Sequence, residues 1–102
     1  VAKQPWHHHL MDAKQATEVL EALLASWEKE NGLACLPVGE PVEYGPYWVQ
    51  GYQGRAFVLE GDVSAALAGN GPVAIPKDGS EPLVLSPTEP VEIQMRRLLA
   101  AR

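Results

Sequence analysis

The chain has 102 residues, of which 46% are hydrophobic and 21% charged, with a formal net charge of −5 and one cysteine. That length fits a single domain and excludes a two-domain enzyme, while the apolar fraction suffices for a core and the modest net charge argues against disorder. The acidic balance disfavours non-specific binding to nucleic acid or anionic lipid, both of which need a basic face. A lone Cys35 rules out an intramolecular disulfide and a cysteine-built zinc site.

No uninterrupted apolar run approaches the roughly 18 residues of a membrane span, and the first residues lack the charged, apolar and small-residue sections of a signal peptide. The expectation is a soluble, cytoplasmic protein with no membrane association. Residues 1–11 include Pro5, Trp6, His7, His8 and His9 and show no helical or strand period. Three adjacent histidines cannot all face one metal from a helix or a strand, so 1–11 reads as a tail or a vector remnant, with Met11 as a natural start. Residues 12–102 then form one domain.

From Asp12 a helical period appears: Ala16, Leu20, Leu23, Leu24 and Trp27 share one stripe. Asp12 with Gln15 makes a capping pair, and Asn31 with Gly32 a left-handed stop, so a helix is predicted over 12–31. After Gly32 the texture changes to short segments rich in Val, Tyr, Trp and Leu, punctuated by Gly and Pro. Residues 33–38, continued through 42–44 across a bend at 39–41, form a predicted first strand, and Pro37 and Pro41 suit an edge position. Residues 47–53 and 55–60 read as a hairpin turning at Gln53 and Gly54, with Trp48, Gln50 and Tyr52 on one face and Tyr47 and Val49 on the other. Residues 62–68 read as a short helical piece capped by Asp62 and stopped by Gly69, Asn70 and Gly71. Residues 73–75 and 83–85 form a second predicted hairpin around the turn 77–80.

At the C-terminus Val91, Met95, Leu98 and Leu99 lie on one helical stripe, with Ser86, Pro87 and Glu89 at the N-cap, N1 and N3 positions. The helices do not alternate with single strands as βαβ units would. The predicted class is therefore α+β: a small antiparallel β-sheet of four to five strands with an N-terminal, a short central and a C-terminal helix packed on one face.

The sequence offers little to a catalytic reading. Gly69, Asn70, Gly71 and Pro72 lie between a helix and a strand, the reverse of a phosphate cradle, and Pro72 removes a donor. Cys35 has no histidine near it outside 1–11 and reads as a small buried hydrophobe. No calcium loop or paired-histidine metal motif occurs, so no cofactor or metal is expected. Acid–base chemistry at neutral pH would need a strongly shifted carboxylate or lysine. The chain reads as a non-enzyme. Around Tyr44, Tyr47, Trp48 and Tyr52 the nearby cation is Arg55 alone, too little charge for a single-stranded nucleic-acid platform. Between Asn31 and Met95 the basic residues are Arg55 and Lys77, against Glu40, Glu43, Glu60, Asp62, Asp78, Glu81, Glu89 and Glu92. Such a surplus suits a cationic protein partner, and it equally serves solubility.

Residues 44–90 resemble the Imm35 (YrhB-like) family of small bacterial immunity proteins. The run from Gly45 through Trp48 to Gln53 is similar to the family's glycine-tryptophan-aromatic strand. Glu60, Gly61 and Asp62, followed by 66–73 with Gly69, Asn70, Gly71 and Pro72, look like its central helix and Ala-Gly-Asn-(Gly/Ala)-Pro turn. Lys77, Asp78 and Gly79 stand where the family has a hairpin, and residues 88–92 resemble the lead into its last helix. Pro76 departs from a usual aspartate, and Ser80, Glu81 and Pro82 alter that hairpin. The resemblance implies an antitoxin that neutralises a cognate polymorphic toxin by binding it. With that partner, Tyr44, Tyr47 and Tyr52 become candidate anchors and Glu40, Glu43, Glu60 and Asp62 candidate rim charges, whereas Trp27, Trp48, Gly69, Asn70 and Pro72 become structural. Tyr47 is the favoured anchor, because Trp48 on the opposite face is assigned to holding helix against sheet. A general chaperone-like or housekeeping binder of the same fold is the alternative.

Overall fold

The computed structural model describes residues 10–101. Helix α1 (Ala13–Asn31) begins where the sequence places its cap. The Asp12 carboxylate accepts from the Gln15 N–H at 2.8 Å, and the Gln15 amide oxygen accepts from the Asp12 N–H at 2.8 Å. Two orphan donors of the first turn are thereby satisfied. The helix ends on Gly32, left-handed at φ 78°, whose N–H donates to the Glu28 carbonyl.

Four antiparallel strands follow in the sheet order β1 (Cys35–Tyr44), β2 (Tyr47–Gly54), β3 (Val73–Pro76) and β4 (Leu83–Val84). The first strand is an edge, as Pro37 and Pro41 suggest. The Arg55 N–H donates to Ala34 O, and the register pairs Leu36 with Gln53 and Pro37 with Tyr52. Alternation along the ladder then points Pro37 away from β2, so its missing donor costs no sheet hydrogen bond. The register shifts between Val38 and Val42, which absorbs the bend at 39–41.

Period-two alternation gives the sheet two buried faces. Cys35, Tyr52, Val73 and Ile75 pack with Met11, Ala16, Leu20 and Leu24 beneath α1. On the other side Tyr47, Val49, Ala74 and Leu85 pack with Met95 of helix α3 (Val91–Ala100). The helices therefore lie on opposite faces of the sheet, which corrects the expectation of a one-sided stack; the class remains α+β. Leu20, Leu24, Val73, Ile75 and Met95 are the largest fully buried side chains, each stabilising the fold by about 1.5–3 kcal/mol relative to exposure.

Three further expectations are corrected. Residues 55–60 do not form a hairpin arm: they are helix α2 (Arg55–Glu60), and β2 pairs instead with β1 and β3. Arg, Ala, Leu and Glu favour a helix, and Gly54 at φ −56° lacks the left-handed geometry of a tight hairpin turn. The short helical piece after Asp62 is a single 3₁₀ turn (Val63–Ala65), capped by the Asp62 carboxylate. Helix α3 starts at Val91, later than Ser86 and Pro87 suggested, because a residue before proline avoids the α region and Glu89 precedes Pro90. The buried Gln94 side chain closes that entry, bonding Ser86 N at 2.8 Å, Ser86 O at 2.9 Å and Glu89 O at 3.0 Å.

Met11 belongs to the fold, against its assignment to the tail. It is buried, its N–H donates to Lys77 O at 3.1 Å and its carbonyl accepts from the Trp48 indole N–H at 2.9 Å. The three-histidine segment lies outside the described residues. No helix among the described residues is long and apolar enough to cross a membrane.

Candidate functional site

The tyrosines expected to anchor a partner are used by the fold itself. Tyr47 is 6% exposed because α3 covers its face of β2, and Tyr52 is 8% exposed beneath α1, edge-on to Trp27 with ring centroids 5.4 Å apart. Tyr44 is half-buried against the α3-side core. Tyr47 and Tyr52 are thus corrected from interface anchors to core residues: Tyr47 because α3 covers the second sheet face, Tyr52 because it shares with Trp48 the face beneath α1. Trp48 packs on the α1-side core, with the Lys77 ammonium 4.9 Å from its ring centroid.

The turn 69–72 holds the chain close to the sheet. Gly69 adopts φ +73°, the Asn70 side-chain amide donates to Tyr52 O at 3.1 Å, and Pro72 O accepts from the Leu85 N–H at 2.8 Å. A β-carbon on Gly71 would run into the Leu85 carbonyl, and one on Gly54 into the Ala65 carbonyl. Backbone proximity explains both glycines.

The candidate acids sit on separate elements. Glu40 lines an open groove of about 540 Å³ between α1 and β1, together with Lys14, Thr17, Glu18, Glu21 and Pro41. Glu43 pairs with the buried Lys77. Glu60 ends α2, and the Asp62 carboxylate accepts from the Ser64 N–H at 3.0 Å and hydroxyl at 2.6 Å. No hydrogen bond or ion pair joins the first two acids to the last two among the described residues.

The electrostatics follow from pairing. Arg55, one of the two cations between Asn31 and Met95, is held by Glu28 at 2.7 Å, and Lys77, the other, by Glu43. Glu40, Glu60, Asp62, Glu81 and Glu92 face solvent with no ion-pair partner among the described residues. Burial pushes the Cys35 thiol up from its ordinary 9.0, with Arg55 pulling the other way, and pushes the Tyr52 phenol up from 10.0 against the Asn70 hydrogen bond. Both stay neutral at neutral pH, as core groups do. The hydrogen bonds from Arg97 hold the exposed Glu89 carboxyl below its usual range. Among the described residues no cluster of three histidine, cysteine or acidic side chains could hold a metal ion.

Sequence reasoning missed a surface of another kind. Val58, Leu59 and Val63 are exposed aliphatics within six residues of chain, and α2 and the 3₁₀ turn bury no side chain. Adjacent Val58 and Leu59 just before Glu60 and Gly61 were the available signal, hidden by reading 55–60 as a strand. No family model, curated protein or solved structure matches the chain.

Proposed function

We propose that this chain is an immunity protein, a stoichiometric binder that occupies the surface of a basic cognate toxin domain in the cytoplasm. The observation that carries the reading is the solvent-facing acid surplus: both cations between Asn31 and Met95 are tied in ion pairs, leaving Glu40, Glu60, Asp62, Glu81 and Glu92 to set the local potential. Complementary potentials speed encounter with a basic partner and repel acidic ones. The ordered resemblance to the Imm35 family supports the same role, in which the protein binds and performs no turnover.

The test is co-expression with the product of the adjacent reading frame. Restored growth and a co-purifying complex support the reading. A chain that fails to protect, yet suppresses heat aggregation of unrelated proteins, would be a general binder instead.

A further inference from the structure

We propose that the aliphatic ridge of Val58, Leu59 and Val63 is the docking surface for a basic protein partner, one presenting an apolar pocket ringed by lysine or arginine. The inference deepens the antitoxin reading and rests on it for the partner's role. Leu59 is 68% exposed, Val63 78% and Val58 42%, with Val58 and Leu59 on α2 and Val63 on the 3₁₀ turn that follows it. Exposed aliphatics grouped on neighbouring elements mark interaction surfaces, whereas isolated ones need no explanation.

The ridge is held in a fixed shape. Gly61, at φ 70°, ends α2 with its N–H on Phe57 O at 2.9 Å, and Asp62 clamps the following turn through Ser64. Arg55 ties the base of α2 to the body twice, by its N–H on Ala34 O and by its guanidinium on Glu28. A surface already ordered loses less entropy on binding.

Charge selects the occupant. Glu60 and Asp62 lie between Leu59 and Val63 in the chain, and the cation on α2, Arg55, is already paired. An apolar centre with an acidic rim complements an apolar pocket with a basic one. A two-fold contact between copies would set the same patch against itself and bring these carboxylates together. The acidic rim likewise opposes anionic lipid and nucleic acid. Among the other exposed aliphatics, Val38 and Val42 lie on an edge strand carrying Pro37 and Pro41, and Leu83 and Val84 on the two-residue edge strand β4 next to Pro82, features that discourage strand addition at either edge.

The probe is a synthetic amphipathic peptide of leucine pairs alternating with lysines, titrated into the isotope-labelled full chain and followed by amide chemical shifts. The largest shifts are expected over 57–64, with affinity reduced about tenfold in Leu59→Asp and in the double variant Glu60→Lys/Asp62→Lys, and unchanged in Val42→Asp. The amide spectrum of each variant verifies that it folds. Shifts centred elsewhere, equal binding by the glutamate analogue of the peptide, or self-association lost in Leu59→Asp would each overturn the proposal. In co-expression, full protection by Leu59→Asp would remove the ridge and leave the antitoxin role standing. Peptide binding at the ridge without protection by the unaltered chain would do the reverse.

Discussion

The Lys77 ammonium lies 4.9 Å from the centroid of the Trp48 ring and pairs with Glu43, although the lysine is only 8% exposed. The same indole donates its N–H to Met11 O, and Met11 donates its own N–H to Lys77 O. One cation, one ring and the residue that leads into α1 thus close a small circuit on the α1 side of the sheet. Lys77→Ala removes both the charge over the ring and the stem that covers it. Urea titration should show a loss of about 1–2 kcal/mol. An unchanged midpoint would mean that the Lys77 side chain contributes nothing to the circuit.

The capping box offers a second, local test. Asp12→Ala leaves the Gln15 N–H without its acceptor at the first turn of α1. A cost of about 1 kcal/mol is expected, read as a lower thermal midpoint. Asp12→Asn should recover most of it, since the amide oxygen still accepts.

Gly71 and Gly54 should tolerate alanine poorly for reasons of space. Each would push a β-carbon into a backbone carbonyl, of Leu85 and Ala65 respectively, and backbone cannot swing aside as a flexible side chain does. Either substitution should destabilise by about 1–3 kcal/mol or more in chemical denaturation. Gly32→Ala serves as the comparison: its φ of 78° brings strain, but nothing stands within 4 Å of the added carbon.

Alkaline pH should weaken the fold through its core. The folded-state values of Cys35 and Tyr52 are raised above the ordinary 9.0 and 10.0, so the folded chain holds protons that the unfolded chain releases. Their contribution is complete below pH 9 and is lost as pH rises through the raised values. Stability measured from pH 8 to 11 should fall, and Cys35→Ala should remove the earliest part of that fall. A flat profile would contradict the burial of both groups.

Local chemistry made α1 legible in the sequence, because Asp12, Gln15 and Gly32 mark its ends and Leu20 and Leu24 its buried stripe. The edge strand was legible from Pro37 and Pro41. The two-sided sheet was harder to see, yet Val73, Ala74 and Ile75 are apolar at three consecutive positions, the pattern of a strand covered on both faces. That missed signal moved Tyr47 from the surface into the core, whereas Tyr52 shares the α1 face with Trp48 and would be covered in a one-sided stack as well. Residues 55–60 went astray because Phe57, Val58 and Leu59 resemble a strand when periodicity is judged over six residues. The ridge was invisible for the same reason: an aliphatic run reads as core until the fold leaves it outside.

Stoichiometric occupation of a toxin is the central claim, and an inhibition titration tests it most directly. Purified chain is added in steps to a fixed amount of the adjacent frame's toxin domain, and the residual toxic activity is recorded. Occupation predicts a linear decline that breaks sharply at one equivalent, with activity regained when the complex is dissociated. Complete inactivation by a small fraction of an equivalent would show that the chain acts catalytically, and no decline at any ratio would show that it is not the toxin's inhibitor.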